Sequence, residues 1–185
     1  MLNLLVGLGN PGQEYIGTRH NIGFEVIEQL SRKYGVNSFT NKFHSLYTKT
    51  SDDLVLLKPV TYVNNSGVAV IEAAKFFKIP PAQIFVFHDD LDLETGQIKV
   101  KIGGGHGGHN GLRSIDQYIG TDYWRVRIGI SKPEYKSSVS NYVLKKFTKE
   151  QNEIINVAVE KIVKNIHILM KDGKDKFLLA VYNTN

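Results

Sequence analysis

Leu2-Asn3-Leu4-Leu5-Val6-Gly7-Leu8-Gly9-Asn10-Pro11-Gly12 decides the fold class. The apolar run from Leu2 to Leu8 reads as a buried strand, and the glycines with Pro11 punctuate its end. After the polar stretch Gln13–His20, Ile22, Val26, Leu30 and Tyr34 recur every fourth residue, with Asn21 placed as an N-cap and Gly35 just past the end. That pattern predicts a helix. Further strand-like runs lie at Phe43–Thr48, Leu54–Leu57, Ile84–His88, Gln97–Ile102 and Trp124–Ile130. A second helix is predicted after Asn65, with Val68, Ile71, Ala74 and Phe77 inward and Pro80-Pro81 as its stop. A third begins near Asn110 and buries Leu112, Ile115 and Ile119 before Gly120. The longest covers roughly Glu150–Lys171, with Ile155, Val159, Ile162, Ile166 and Leu169 on one face. Strands alternating with helices predict an α/β fold: a single domain over residues 1–185, with a mixed, twisted sheet, partly parallel at its core and flanked by helices. Ligands in such folds sit beyond the carboxyl ends of the strands. Asn10, His88-Asp89-Asp90 and the loop Gly103–Asn110 fall there.

Composition narrows the chemistry. At 185 residues, 42% hydrophobic and 22% charged, the chain is neither disordered nor collagen-like. It has no cysteine, which excludes disulfides, thiolate nucleophiles and cysteine zinc sites. No apolar run approaches the roughly 18 residues of a membrane helix. The opening stretch lacks the basic flank of a secretory leader, so the expected compartment is the cytoplasm. Residues 1–92 carry 8 Lys/Arg against 9 Asp/Glu, and residues 93–185 carry 15 against 9. A second half at +6 suits a polyanion such as nucleic acid, or merely a lysine-rich surface.

Several familiar motifs are incomplete. Gly7-Leu8-Gly9-Asn10-Pro11-Gly12 matches GxGxxG, but dinucleotide binding needs a helix opening at the glycines, and here the helix is delayed to Ile22. Gly103-Gly104-Gly105-His106-Gly107-Gly108-His109-Asn110-Gly111 lacks the Lys-Ser/Thr of a P-loop. Its six glycines predict a loop that is mobile without substrate, or one that brings backbone amides close to a ligand. His88, Asp89, Asp90, Asp92, His106 and His109 match no metal-ligand spacing, and GxSxG is absent. Histidine and water remain. His20 lies in the polar turn Thr18-Arg19-His20-Asn21, and His109 is the next candidate base. A carboxylate on one imidazole nitrogen fixes the tautomer and leaves the other nitrogen free to take a proton from water. Asn10, Asn64 and Asn110 could grip carbonyls or stabilise an oxyanion. This inventory is consistent with an acyl hydrolase without establishing one.

Five blocks then occur in order: Val6–Gly12; Thr18–Phe24; Lys58-Pro59 with Tyr62-Val63-Asn64-Asn65-Ser66-Gly67; His88-Asp89-Asp90-Leu91-Asp92; and Gly103–Gly111. Together they resemble bacterial peptidyl-tRNA hydrolase over essentially the whole chain. The resemblance implies an esterase that frees the peptide from the 3′ end of tRNA and recycles tRNA from aborted translation, with no metal or cofactor. It implies that His20 is the general base, that Asp89 supports it, and that Asn10 lines the site and helps separate peptidyl-tRNA from aminoacyl-tRNA. It further implies that Tyr15, Tyr62, Asn64 and Asn110 hold the substrate's terminal region, while Lys101 and Arg127 meet tRNA phosphates. Replacing Asp89 by Asn is expected to cost less than removing His20. The implied partner is peptidyl-tRNA, through its acceptor arm and 3′ end, with no membrane and a monomeric protein. Tyr62-Val63 stands where the family commonly has Phe-Met, which shortens an apolar wall and bears on peptide preference. The rival is a non-catalytic RNA-binding protein on the same fold. A nicotinamide-dependent oxidoreductase rests only on the weak glycine match.

Overall fold

In the computed structural model, which describes residues 1–135 and 138–183, β1 (Asn3–Gly7) lies at the centre of one seven-stranded sheet. The other strands are β2 (Thr40–Lys42), β3 (Ser45–Lys49), β4 (Leu54–Pro59), β5 (Ile84–Asp90), β6 (Ile98–Ile102) and β7 (Trp124–Gly129). The order is β2-β3-β4-β1-β5-β7-β6. The central β4, β1, β5 and β7 are mutually parallel, while β2, β3 and β6 pair antiparallel. The mixed sheet with a parallel centre is the one expected.

The central runs do not alternate apolar with polar because both sheet faces are covered. Leu4 and Val6 of β1 face one layer while Leu5 faces the other, and Ile84 and Val86 of β5 oppose Phe85 and Phe87 in the same way. One layer holds α1 (Ile22–Lys33), α5 (Lys149–Asp172) and α6 (Lys174–Asn183); the other holds α2 (Ser66–Phe77) and α3 (Asn110–Ile119). The short α4 (Val139–Val143) lies beside the turn that carries His20.

The glycines of the first motif serve packing. A Cβ on Gly7 would lie 2.1 Å from the Gly23 carbonyl oxygen, and one on Gly23 would lie 2.3 Å from the Leu8 nitrogen. Two missing side chains thus let α1 press against the end of β1. Lys58 is also structural: it pairs with Glu28 of α1 and lies over the Phe39 ring at 4.4 Å.

One local expectation is corrected, and two elements lie where the sequence pattern marks none. Helix α2 buries Ala69, Val70, Ala73 and Ala74, whereas Val68, Ile71 and Phe77 are half-buried. The small residues win because α2 packs closely on α3, where a Cβ on Gly67 would meet the Ser114 carbonyl oxygen at 2.3 Å. Strand β2 is a polar, fully exposed edge of three residues with no apolar pattern to announce it. Helix α6 follows α5 after Gly173, whose φ of 87° breaks the helix. It buries Phe177 and Val181, and its Tyr182 hydroxyl accepts from the Ile98 N–H and donates to the Ile98 carbonyl. Those bonds cover the outer edge of β6.

Candidate active site

A cleft of about 690 Å³ opens beyond the carboxyl ends of β1, β4 and β5, and is lined by Asn10, His20, Asn64, Asp89, His109 and Asn110 among others. Asp89, at the end of β5, is 3% exposed. His20 Nδ1 lies 3.0 and 2.9 Å from its two carboxylate oxygens, and His109 Nε2 lies 2.8 Å from Oδ1. A carboxylate can only accept, so both imidazoles donate. The two adjacent imidazoles hold Asp89 well below the usual carboxylate range against the opposing effect of burial.

The two histidines differ. His109 Nδ1 accepts from the Gly111 and Leu112 amides and thereby caps α3. Its proton therefore sits on Nε2, and both nitrogens are engaged, so His109 cannot serve as a base in this arrangement. The third helix begins at Asn110 as expected, and the preceding His109 supplies its cap. His20 spends only Nδ1–H, and its Nε2 has no protein partner among the described residues. Burial acts to lower the His20 pKa, but the Asp89 charge and hydrogen bond outweigh it, and the net shift is upward. The result is a basic nitrogen beside the cleft, with an anion behind it to stabilise the protonated ring.

The turn that carries His20 is fastened from the far end of the chain. Arg19, 5% exposed, donates to the Tyr142 and Lys145 carbonyls and to Gln151 Oε1, with its guanidinium 4.0 Å from the Tyr142 ring centre. Asn21 occupies the N-cap position of α1 without capping it. Its side chain instead accepts from Asn10 N–H at 2.8 Å and donates to the Asn10 carbonyl at 2.9 Å. Asn10 Oδ1 accepts from the Val63 N–H at 2.9 Å. Asn10 lines the cleft, and with its oxygen so engaged its amino group is a donor without a partner among the described residues.

The remaining expected residues separate into two sets. Asn64, Asn110, Lys101 and Arg127 line the cleft. Arg127 Nε donates to Asp90 Oδ2 at 2.8 Å, and its Nη edge has no partner among the described residues. Lys101 Nζ donates to the Gly105 carbonyl at 3.2 Å. Tyr15 and Tyr62 do not line the cleft but form an edge-to-face pair with ring centres 6.3 Å apart, and Tyr62 is 52% exposed. The sequence pattern does not disclose the roles of Arg19 and Asn21, although both lie in the block around His20. It also leaves His109 as a spare base, whereas the fold makes it the second donor to Asp89.

Among the described residues, one cluster brings three metal-type donors together: His20, Asp89 and His109. Their ligand atoms face one another as hydrogen-bond partners, so a cation there would have to displace both imidazole protons. No helix among the described residues is long and apolar enough to cross a membrane.

A family model described as peptidyl-tRNA hydrolase matches residues 4–185. The peptidyl-tRNA hydrolase of Rhodospirillum centenum is 45% identical over 179 residues, covering 95% of this chain and 79% of the relative. That of Wolbachia pipientis is 44% identical over 180 residues, covering 96% and 98%. A crystal structure of an Arg119Gln mutant of the peptidyl-tRNA hydrolase of Acinetobacter baumannii superposes with a TM-score of 0.93 at 39% identity, covering 100% of this chain and 96% of the other. The five sequence blocks meet around one cleft, and these relatives each match 95% or more of this chain. The chain belongs to the peptidyl-tRNA hydrolase family.

Proposed function

We propose that this chain hydrolyses the ester between the peptide and the 3′-terminal ribose of peptidyl-tRNA, and so returns tRNA from aborted translation. The observation that carries the reading is the His20 ring, bound to Asp89 through Nδ1 and open at Nε2. His20 Nε2 takes a proton from water as the oxygen attacks the ester carbonyl carbon. The carbonyl electrons move onto oxygen, where the amino groups of Asn10, Asn64 and Asn110 offer donors. When the intermediate collapses, the bond to the ribose oxygen breaks and His20 returns the proton to that oxygen. Asp89 keeps the tautomer and stabilises the transient imidazolium.

The donor face of Asn10 suits a peptide carbonyl and repels an ammonium, so a free aminoacyl-tRNA is the poorer substrate. Tyr15 and Tyr62 offer ring faces at the rim for the unpaired 3′ bases. Lys101 and Arg127 meet phosphates of the acceptor arm, positioning rather than reading sequence. The reading includes a single domain over residues 1–185, acting as a monomer in the cytoplasm without metal or cofactor.

The test is release of N-acetyl-aminoacyl groups from tRNA, with and without chelator. The expected result is turnover indifferent to chelator, and a loss of roughly 10²–10⁴-fold in His20→Ala with tRNA binding retained. Binding without cleavage by the unaltered protein would favour the non-catalytic RNA-binding reading. Activity lost to chelator and restored by zinc would overturn the metal-free mechanism.

A further inference from the structure

Arg125 is the largest fully buried side chain and belongs to none of the roles assigned above. It lies on β7 directly opposite Lys101 of β6, and two cations facing each other across antiparallel strands are unfavourable without compensation. The compensation is specific. Arg125 Nη2 lies 2.9 Å from Asp116 Oδ1 of α3, and Tyr123 donates its hydroxyl to the same oxygen at 2.8 Å. Arg125 Nη1 donates to the Gly105 carbonyl at 2.9 Å, the oxygen that also receives Lys101. Desolvating a guanidinium is costly, and an apolar residue would fill the space at less cost. An apolar residue could not hold a carbonyl.

Gly105 lies within the glycine loop, four residues before His109. Gly103, Gly104, Gly107 and Gly108 all have φ between 58° and 82°. The loop's course therefore owes little to backbone preference and needs an external anchor. It leads directly into the histidine that caps α3 and bonds Asp89, and then into Asn110 at the cleft.

We propose that Arg125, braced by Asp116, is a positioning residue for the reaction: it fixes the Gly105 carbonyl, and through the loop it holds His109 on Asp89 and Asn110 at the cleft. The inference rests on the hydrolase reading for its activity readout only. The loop readout stands apart from it.

The test compares the full-length protein with Arg125→Lys, which keeps a cation against Asp116 but cannot reach both acceptors. Asp116→Asn serves as a second variant, leaving the arginine in place without the charge that fixes its fork. Three quantities are read: amide exchange across residues 103–109, kcat and KM with N-acetyl-aminoacyl-tRNA, and the pH dependence of kcat/KM. Exchange in the loop is expected to quicken while the central strands stay protected. A misplacement of this kind is expected to lower kcat by about tenfold, with a smaller change in KM. The acid limb of the pH profile is expected to move to higher pH, because an Asp89 released from His109 acts more strongly on His20. A third protein carries the apolar pair Arg125→Met and Asp116→Leu, with Tyr123→Phe to remove the hydroxyl that would lose its acceptor, and separates positioning from stability: it is expected to melt near the unaltered protein yet keep the low kcat. Unchanged loop exchange in both single variants, or full kcat in the apolar pair, would overturn the proposal. Altered loop exchange in a protein that hydrolyses nothing would instead overturn the hydrolase reading and leave the anchor standing.

Discussion

Replacing Asp89 by Asn changes one atom of the site, and the hydrogen-bond directions around that atom set the consequence. His109 must keep its proton on Nε2, because Nδ1 accepts from the Gly111 and Leu112 amides. The asparagine oxygen therefore has to take the position of Asp89 Oδ1, 2.8 Å from His109 Nε2. Its amino group then falls at the position of Oδ2, 2.9 Å from His20 Nδ1, where only an acceptor fits. His20 is thus pushed to move its proton to Nε2, the nitrogen that should receive one from water; keeping it on Nδ1 leaves only the oxygen already shared with His109, 3.0 Å away, to accept it, with the amino group 2.9 Å off. The opposite amide orientation sets two donors against each other in a buried site, at about 1–3 kcal/mol. The competent tautomer is thus disfavoured by about 5–150-fold. Loss of the negative charge beside the developing imidazolium adds to this, for a total of roughly 10²–10⁴-fold in kcat. The geometry therefore raises the cost above the sequence-based expectation and brings Asp89→Asn close to His20→Ala. Steady-state release of N-acetyl-aminoacyl groups measures the rate, and nitrogen chemical shifts of the His20 ring report the tautomer. A variant within tenfold of normal turnover, or one whose His20 still carries its proton on Nδ1, would refute the reasoning.

Lys101→Ala and Arg127→Ala should each flatten the slope of log tRNA affinity against log salt by about one unit or slightly less, because each leaves one phosphate no longer neutralised. Wild-type slopes in both variants would move the tRNA-binding surface elsewhere, with Lys145, Lys146 and Lys149 next to be tested. Acid stability is expected to depend on His88, whose Nδ1–H donates to the Asp89 carbonyl and whose Nε2 is buried without a partner among the described residues. Burial, with His109 close by, pushes His88 down to about 3. Its unfolded form takes a proton below about 6.5 while the folded form does not, so stability is lost as pH falls from about 6.5 toward 3. His20 acts in the opposite sense: its raised folded pKa contributes stability that is fully present below about 6.5 and is lost as pH rises through the folded value. The difference between normal protein and His88→Asn in melting at pH 7 and pH 5 isolates His88, and equal losses in the two would contradict its role. Gly23→Ala should cost about 1–3 kcal/mol in chemical denaturation, since overpacking here meets backbone that cannot turn aside. The new Cβ would lie 2.3 Å from Leu8 N and 2.4 Å from the Phe87 carbonyl oxygen. A neutral Gly23→Ala would show that α1 and β1 are not held at contact distance.

Much is legible in the sequence because it depends on neighbours in the chain. The runs Leu2–Leu8 and Ile84–His88 hold, in Leu4–Val6 and Ile84–Phe87, the continuous apolar stretches that a strand covered on both faces requires, and both form central parallel strands. The stripe Ile155, Val159, Ile162, Ile166 and Leu169 has helical spacing and is buried throughout. Strand β2 and the inward face of α2 are not legible: the first is polar edge, and the second is chosen by how closely α3 approaches. The blocks naming His20, Asp89, Asn10 and the glycine loop are likewise on the surface of the sequence. What only the tertiary structure decides is the direction of each bond. That His20 has a free nitrogen and His109 has none depends on which residue caps α3, and that Asn10 presents a donor depends on Val63, 53 positions away. The same holds for Arg19 and Arg125, two cations that sequence alone would leave in solvent and that the fold buries against carbonyls 20 to 126 positions distant. Hydrogen-bond direction is set by the partner across space, and a local pattern carries no record of that partner.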